Sequence, residues 1–148
     1  MAQRIAGIDY GTVRIGIAIA DLSVAIASPL EIYQRQTPDV DAKYFRKLAR
    51  EEALVKFVVG LPVHLSGEES QKSYEARQFA KWLTEITELP VDLFDERYTS
   101  SEAEEMLQAA NLTKKRRKAK LDALAAQIML TAYLEAGARS EENPGSLG

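Results

Sequence analysis

Cysteine is absent from this 148-residue chain, so neither disulfides nor thiolate metal sites are available to it. Histidine is almost absent: His64 stands alone, which removes histidine-rich zinc sites and catalytic arrangements built on several imidazoles. No run of about 18 apolar residues occurs, and the first residues lack the apolar segment of a secretory leader, so the expected compartment is the cytoplasm, with no membrane partner. The length is that of one ordinary domain, enough to bury a core without covalent staples. What the chain does have is acid and base unevenly placed. Net charge is −3, yet the segment 114–120, KKRRKAK, holds six positive charges in seven residues. Such a patch on an otherwise acidic chain suggests an anionic partner, and a solvated helical surface is the plainer alternative.

Along the chain, three strand-like segments come first, at about 3–9, 14–20 and 23–33, the third interrupted at Ser28–Pro29. A helical stretch over about 39–53 carries Tyr44, Phe45, Leu48 and Ala49 on one face. The run 55–60 is short, apolar and β-branched, as a buried strand should be. Residues 64–73 are polar and suit a loop that could close over a substrate or be an ordinary variable loop. A second helix is expected over about 70–88, with Ala76, Phe79, Ala80, Leu83 and Ile86 inward and Trp82 packing beside them. Pro90 precedes a last strand ending at Asp95–Glu96. Thr99 to Ser101 can cap a helix over about 101–110. A final helix should start near Thr113 or Lys114 and stop at Gly137. The tail 138–148 is nearly devoid of apolar residues and reads as disordered. The order βββ-α-β-α-β-α-α describes a mixed sheet covered by helices, with right-handed crossovers making the last two strands parallel to the first.

Carboxylates mark the chemistry. Asp9 ends the first strand, sharing a face with Ile5 and Gly7, beside a tight turn at Gly11. It is either a functional acid or the cap of an Asx-type turn. Parallel strands would bring Asp9 and the Asp95–Glu96 pair out at the same sheet edge, where open α/β sheets place ligands. Alternation lets only one of Asp95 and Glu96 point inward, and spacing does not say which. On the final helix, Lys120, Gln127 and Thr131 form a polar stripe, while Asp122 falls with Ala125, Met129 and Tyr133 on the apolar side. A carboxylate there needs a partner. Lys118, one turn earlier, could supply a salt bridge; alternatively Asp9, Glu96 and Asp122 form one anionic site. Two charges ~4 Å apart at an effective dielectric of ~20 repel by ~4 kcal/mol, so three acids together call for a cation. Magnesium suits an all-oxygen donor set, with manganese as a substitute.

The segments GIDYGTVRIGIAIAD (7–21), VVGLP (58–62), FDERYTSSEAE (94–104) and KLDALAAQIML (120–130) resemble the YqgF/RuvX family of the ribonuclease H-like superfamily, over nearly the whole chain to about residue 136. The resemblance implies an α/β, ribonuclease H-like fold: a five-stranded mixed sheet of order 3-2-1-4-5 with helices on both faces. Residues 1–137 would form a single nuclease domain. It implies that Asp9, Glu96 and Asp122 are the catalytic and metal-binding acids, favouring Glu96 over Asp95. It implies a nuclease that processes the 5′ end of pre-16S rRNA, on its own or on ribosomal precursor particles, with Holliday junction resolution on branched DNA as the alternative. Tyr98, between Arg97 and Thr99, replaces a commoner aliphatic residue, and His64 matches no required position.

From these residues the expected mechanism is Mg²⁺-dependent hydrolysis, with no side chain serving plainly as general base. Lys114, Lys115, Arg116, Arg117, Lys118 and Lys120 would hold phosphates near the acids, with Arg14 and Arg97 as further phosphate contacts. A non-catalytic RNA- or ribosome-binding module is the rival of another class; it would keep the basic helix but need no convergent acids. The turn Asp9–Tyr10–Gly11–Thr12 also resembles the phosphate-binding turn of actin-like ATPases and sugar kinases, which require two such domains. The sequence fits either a monomer or a homodimer.

Overall fold

The computed structural model describes residues 3–61, 71–95 and 114–142, the last stretch with side chains over 123–137. Five strands and three helices follow in order: β1 (Arg4–Asp9), β2 (Arg14–Asp21), β3 (Ile26–Gln34), α1 (Pro38–Glu51), β4 (Leu54–Leu61), α2 (Gln71–Thr87), β5 (Val91–Asp95) and α3 (Lys114–Glu142). The strands form one sheet of order β3-β2-β1-β4-β5. β2 is antiparallel to β1 and to β3. β4 is parallel to β1, and β5 is parallel to β4. Order and directions are those expected from the sequence; the expected helix 101–110 lies outside the described residues.

The two faces of the sheet are covered differently. Ala6, Ile8, Ile15, Ile17, Phe57 and Val59 point to the face that α1 and α2 cover with Phe45, Leu48, Phe79 and Leu83. Phe45 is fully buried and meets Phe57, Phe79 and Trp82 edge-on. Burying one such ring contributes about 1.5–3 kcal/mol. Ile5, Ala18, Ala20, Ala27 and Val58 point the other way, to Ala126, Met129 and Leu130 of α3. Alanines and Gly7 make up much of that second face, and α3 comes down close upon it. A Cβ on Gly7 would lie 2.9 Å from the Cβ of Leu130 and 3.3 Å from the carbonyl oxygen of Ala126.

Three boundaries differ from the sequence expectation. β3 begins at Ile26 rather than Ser23, because residues 22–25 form the turn from β2. Asp21 Oδ1 accepts from the Ser23 amide at 2.9 Å and its hydroxyl at 2.7 Å, and Ala25 takes a positive φ of 58°. β3 also runs through Ser28–Pro29 without stopping. The register slips there, Ile17 facing Glu31 and Ala18 facing Pro29, and an edge strand tolerates a proline at such a bulge. Finally, α3 does not end at Gly137 but continues to Glu142, so residues 138–142 of the expected tail are helical. One glycine costs a helix only about 1 kcal/mol, and the alanine, arginine and glutamates that follow favour continuation.

Helix α1 starts as its sequence dictates. Thr37 caps it, its Oγ1 accepting from the Val40 amide at 3.2 Å, and Pro38 occupies the first turn. Asp41, in that same turn, is almost completely buried. It accepts from the Tyr33 hydroxyl at 2.6 Å, the Gln36 amide at 2.9 Å and Arg35 Nε at 3.5 Å. These bonds tie α1 to the end of β3.

Candidate active site

Asp9 is the last residue of the central strand, half-buried, on the face that α3 covers. Its row explains the room around it. Gly16 is its direct partner on β2, and Gly60 is one step beyond the Ile8–Val59 pair on β4. Neighbours on both sides therefore bring no side chain against the carboxylate. Gly60 pairs in turn with Phe94, and Leu61 with Asp95, so Asp9 and Asp95 leave the sheet at one edge.

The connection after Asp9 forms the floor of a cleft of about 250 Å³ lined by Asp9 to Arg14 and by Lys72 of α2. Gly11 has no substitute in this turn. A Cβ there would sit 2.2 Å from the Arg14 carbonyl oxygen, a backbone atom that cannot step aside. Arg14, expected as a phosphate contact, does share the cleft with Asp9. Lys72 is the unexpected member: it is not among the expected site residues, and it lies in the first turn of α2, within the helix expected over about 70–88.

The alternation of β5 distinguishes its acids. Asp92 and Phe94 both meet Tyr133 of α3: the Tyr133 hydroxyl donates to Asp92 Oδ2 at 2.6 Å, and the two rings lie edge to face at 5.9 Å. Even-numbered positions of β5 thus belong to the α3 face, the face of Asp9. Lys56 completes this junction, donating to Asp92 Oδ2 at 3.0 Å and to the Tyr133 hydroxyl at 3.2 Å. The Tyr133 hydroxyl, with help from the Lys56 ammonium, holds the Asp92 carboxyl below its usual range, and these bonds hold Lys56 above its own. Burial, then the bond to Asp92, pushes Tyr133 up.

Of the other expected site residues, Glu96 and Arg97 lie outside the described residues, as does His64. Lys114, Lys115, Arg116, Arg117, Lys118, Lys120 and Asp122 lie in the first turns of α3, where only the backbone is described. By helical period Asp122 occupies the face of Ala126, Met129 and Tyr133, all turned to the sheet or its last strand. Among the described residues no three acids or histidines converge on a metal position; two of the three expected ligand side chains are not among them. The donor that is described, a carboxylate oxygen at an open sheet edge, is of the hard type that Mg²⁺ takes, and the cationic side chains lining the same cleft suit a phosphate.

A family model described as RuvX, Holliday junction resolvase, matches residues 3–136. The chain belongs to the RuvX family. A protein of Rhodopirellula baltica, named "Putative pre-16S rRNA nuclease", is 50% identical over 133 residues, covering 90% of this chain and 77% of that one. A protein of the same name in Syntrophomonas wolfei is 40% identical over 140 residues, covering 95% and 99%. As a RuvX protein the chain is a nuclease, a hydrolase of phosphodiester bonds. Solved structures share the fold at low identity. Thermus thermophilus RuvC bound to a Holliday junction superposes with a TM-score of 0.57 at 17% identity, over 90% of this chain and 96% of that one. Fowlpox virus resolvase with its junction DNA gives 0.56 at 10% identity, over 92% and 98%. The ribonuclease H-like sheet expected of a RuvX chain is therefore the one observed.

Proposed function

We propose that this nuclease depends on a divalent metal, Mg²⁺ or Mn²⁺, held by Asp9, Glu96 and Asp122, and that it processes the 5′ end of pre-16S rRNA in the cytoplasm. One observation carries the reading: Asp9 stands at the end of the central strand, on the α3 face, with glycines on both sides of its row. Asp92 and Phe94 share the face of Asp9 and Asp95 alternates away from it, which supports Glu96, the acid the family resemblance implies, over Asp95. Ala126 lies directly over Gly7 on that face, and Asp122 is one helical turn before it, which supports its place as third ligand.

When bound, the ion would offset the mutual repulsion of the three carboxylates and polarise the scissile phosphate. The chain's own groups do the rest. Arg14 and Lys72 line the cleft at Asp9 and are placed to meet phosphate oxygens. The basic start of α3 supplies a docking surface for the backbone of the nucleic acid, with little sequence content of its own. The names of the curated relatives favour precursor rRNA, and the family description keeps a four-way DNA junction as the second substrate.

The decisive experiment compares a precursor-rRNA 5′ leader with a four-way junction, using wild type and Asp9→Asn, with Mg²⁺ and with chelator. Asp9→Asn keeps the shape of the side chain and removes its charge. Cleavage of the leader should disappear with the variant and with chelator, while folding and nucleic-acid binding persist. Undiminished cleavage by well-folded Asp9→Asn would sink the metal site, and preference for the junction would reassign the substrate.

A further inference from the structure

We propose that the groove beside the Asp9 cleft, between the β1–β2 connection and α2, is a subsite for an unpaired nucleotide of the substrate strand. The groove has a volume of about 370 Å³ and is lined by Tyr10, Arg35, Tyr74, Gln78, Phe79 and Trp82, together with Pro38 and the acidic Glu75. That volume is at the small end of pockets that hold organic ligands. Tyr10 lines both hollows, so groove and cleft adjoin at this residue.

The lining combines what a single-stranded nucleotide needs. Arg35 stands over the Tyr10 ring at 5.4 Å and the Phe79 ring at 5.6 Å. Asp41 and the Tyr10 hydroxyl, at 3.5 Å and 3.1 Å, fix its guanidinium. Two of its five N–H donors are engaged in those bonds, and a planar fork held in this way suits a phosphate. Tyr74 is more than half exposed and presents an aromatic ring to the groove. Stacking on such a ring is tolerant of sequence, and it requires a base that is out of a duplex. The exposed amide of Gln78 can bond a base edge. Trp82 packs edge-on against Phe45 and tilted against Phe79, so it belongs to the groove's base. Lys72 and Gln78 lie about 9 Å apart along α2, which lets one strand occupy cleft and groove together. This inference rests on the nuclease reading and adds to it a preference for substrate that is single-stranded beside the scissile bond.

Trp82 is the only tryptophan of the chain, so its emission reports on the groove alone. In chelator, where no cleavage occurs, the full chain is titrated with a short dye-labelled RNA, single-stranded or annealed to its complement. Dye anisotropy follows all binding and Trp82 emission follows the groove. The expected result is a change in Trp82 emission with the single strand and none with the duplex. Tyr74→Ala should bind the single strand at least about fivefold more weakly, and Tyr74→Phe should restore it. Tyr74 is exposed, so neither change threatens folding. If anisotropy saturates while Trp82 emission stays constant, or if Tyr74→Ala binds like wild type, the subsite is wrong and the nuclease reading survives. If neither RNA form binds, both fail.

Discussion

Gly7 of β1 lies so close beneath Leu130 of α3 that a single added methyl group would come within 2.9 Å of the Leu130 Cβ. This close approach sets the height of α3 over the sheet, and with it the distance between the helix and the strand that carries Asp9. Gly7→Ala should therefore be destabilising by about 1–3 kcal/mol despite alanine's better strand propensity, since overpacking costs that much. Thermal melts of Gly7→Ala, Leu130→Ala and the double variant check it. Alanine at position 130 keeps the Cβ that the new methyl meets at 2.9 Å and removes only the Cδ2 at 3.3 Å, so the double variant should recover at most a small part of the Gly7→Ala loss.

Gly11→Ala should separate activity from stability. The clash at 2.2 Å is with a backbone oxygen, so the turn from Asp9 to Arg14 must change shape, while the core around Ile8 and Ile15 remains in place. Cleavage should fall by an order of magnitude or more, roughly 1.4 kcal/mol or more of transition-state stabilisation, with a melting temperature lowered by only a few degrees. Equal activity in the variant would show that the turn does not position the reacting groups.

The basic start of α3 should be visible in salt dependence. Charge reversal at Lys115 and Arg116 is expected to weaken RNA binding. It should also flatten the slope of log affinity against log salt, by about 0.7 for each phosphate of a single strand that the variant no longer neutralises. Binding isotherms at several salt concentrations measure it. An unchanged slope would exclude this helix as the docking surface.

Alkaline pH should weaken the fold through Tyr33. Burial, reinforced by the bond to Asp41, pushes its hydroxyl up from 10.0 to about 12. A raised folded-state value means the native chain keeps a proton that the unfolded chain releases. The stabilisation is complete below about pH 10 and is lost as pH rises towards about 12, on the order of 2–3 kcal/mol in all. Tyr44 stacks on Tyr33 at 3.8 Å, and burial together with its bond to Glu31 raises it as well, so it adds to the same slope. Denaturation at intervals from pH 9 to 12 should show a shallower decline for Tyr33→Phe than for wild type.

Much of the molecule could be read from the chain alone because its signals are local. Alternation in residues 4–9 and 14–21, the helical stripe of Phe79, Ala80 and Leu83, and the cap at Thr37 each depend on near neighbours. Element order then fixed the parallel placement of β1, β4 and β5, and so the common edge of Asp9 and Asp95. The positions that differ are those where a distant partner overrides local preference, or where a local signal is too weak to act alone. Pro29 breaks an isolated strand but is accommodated by a bulge opposite β2, and Gly137 weakens a helix without ending it.

What sequence alone determined about Asp9 was its type, its strand and its face, since these follow from a period of two and a turn at Gly11. Only the tertiary structure decided its surroundings: glycines on both sides of its row, α3 resting on Gly7, Lys72 reaching its cleft, and an aromatic groove adjoining that cleft at Tyr10. Those are meetings of residues far apart in the chain. Their geometry depends on which strands neighbour one another and how closely a helix can approach, and no local pattern encodes that.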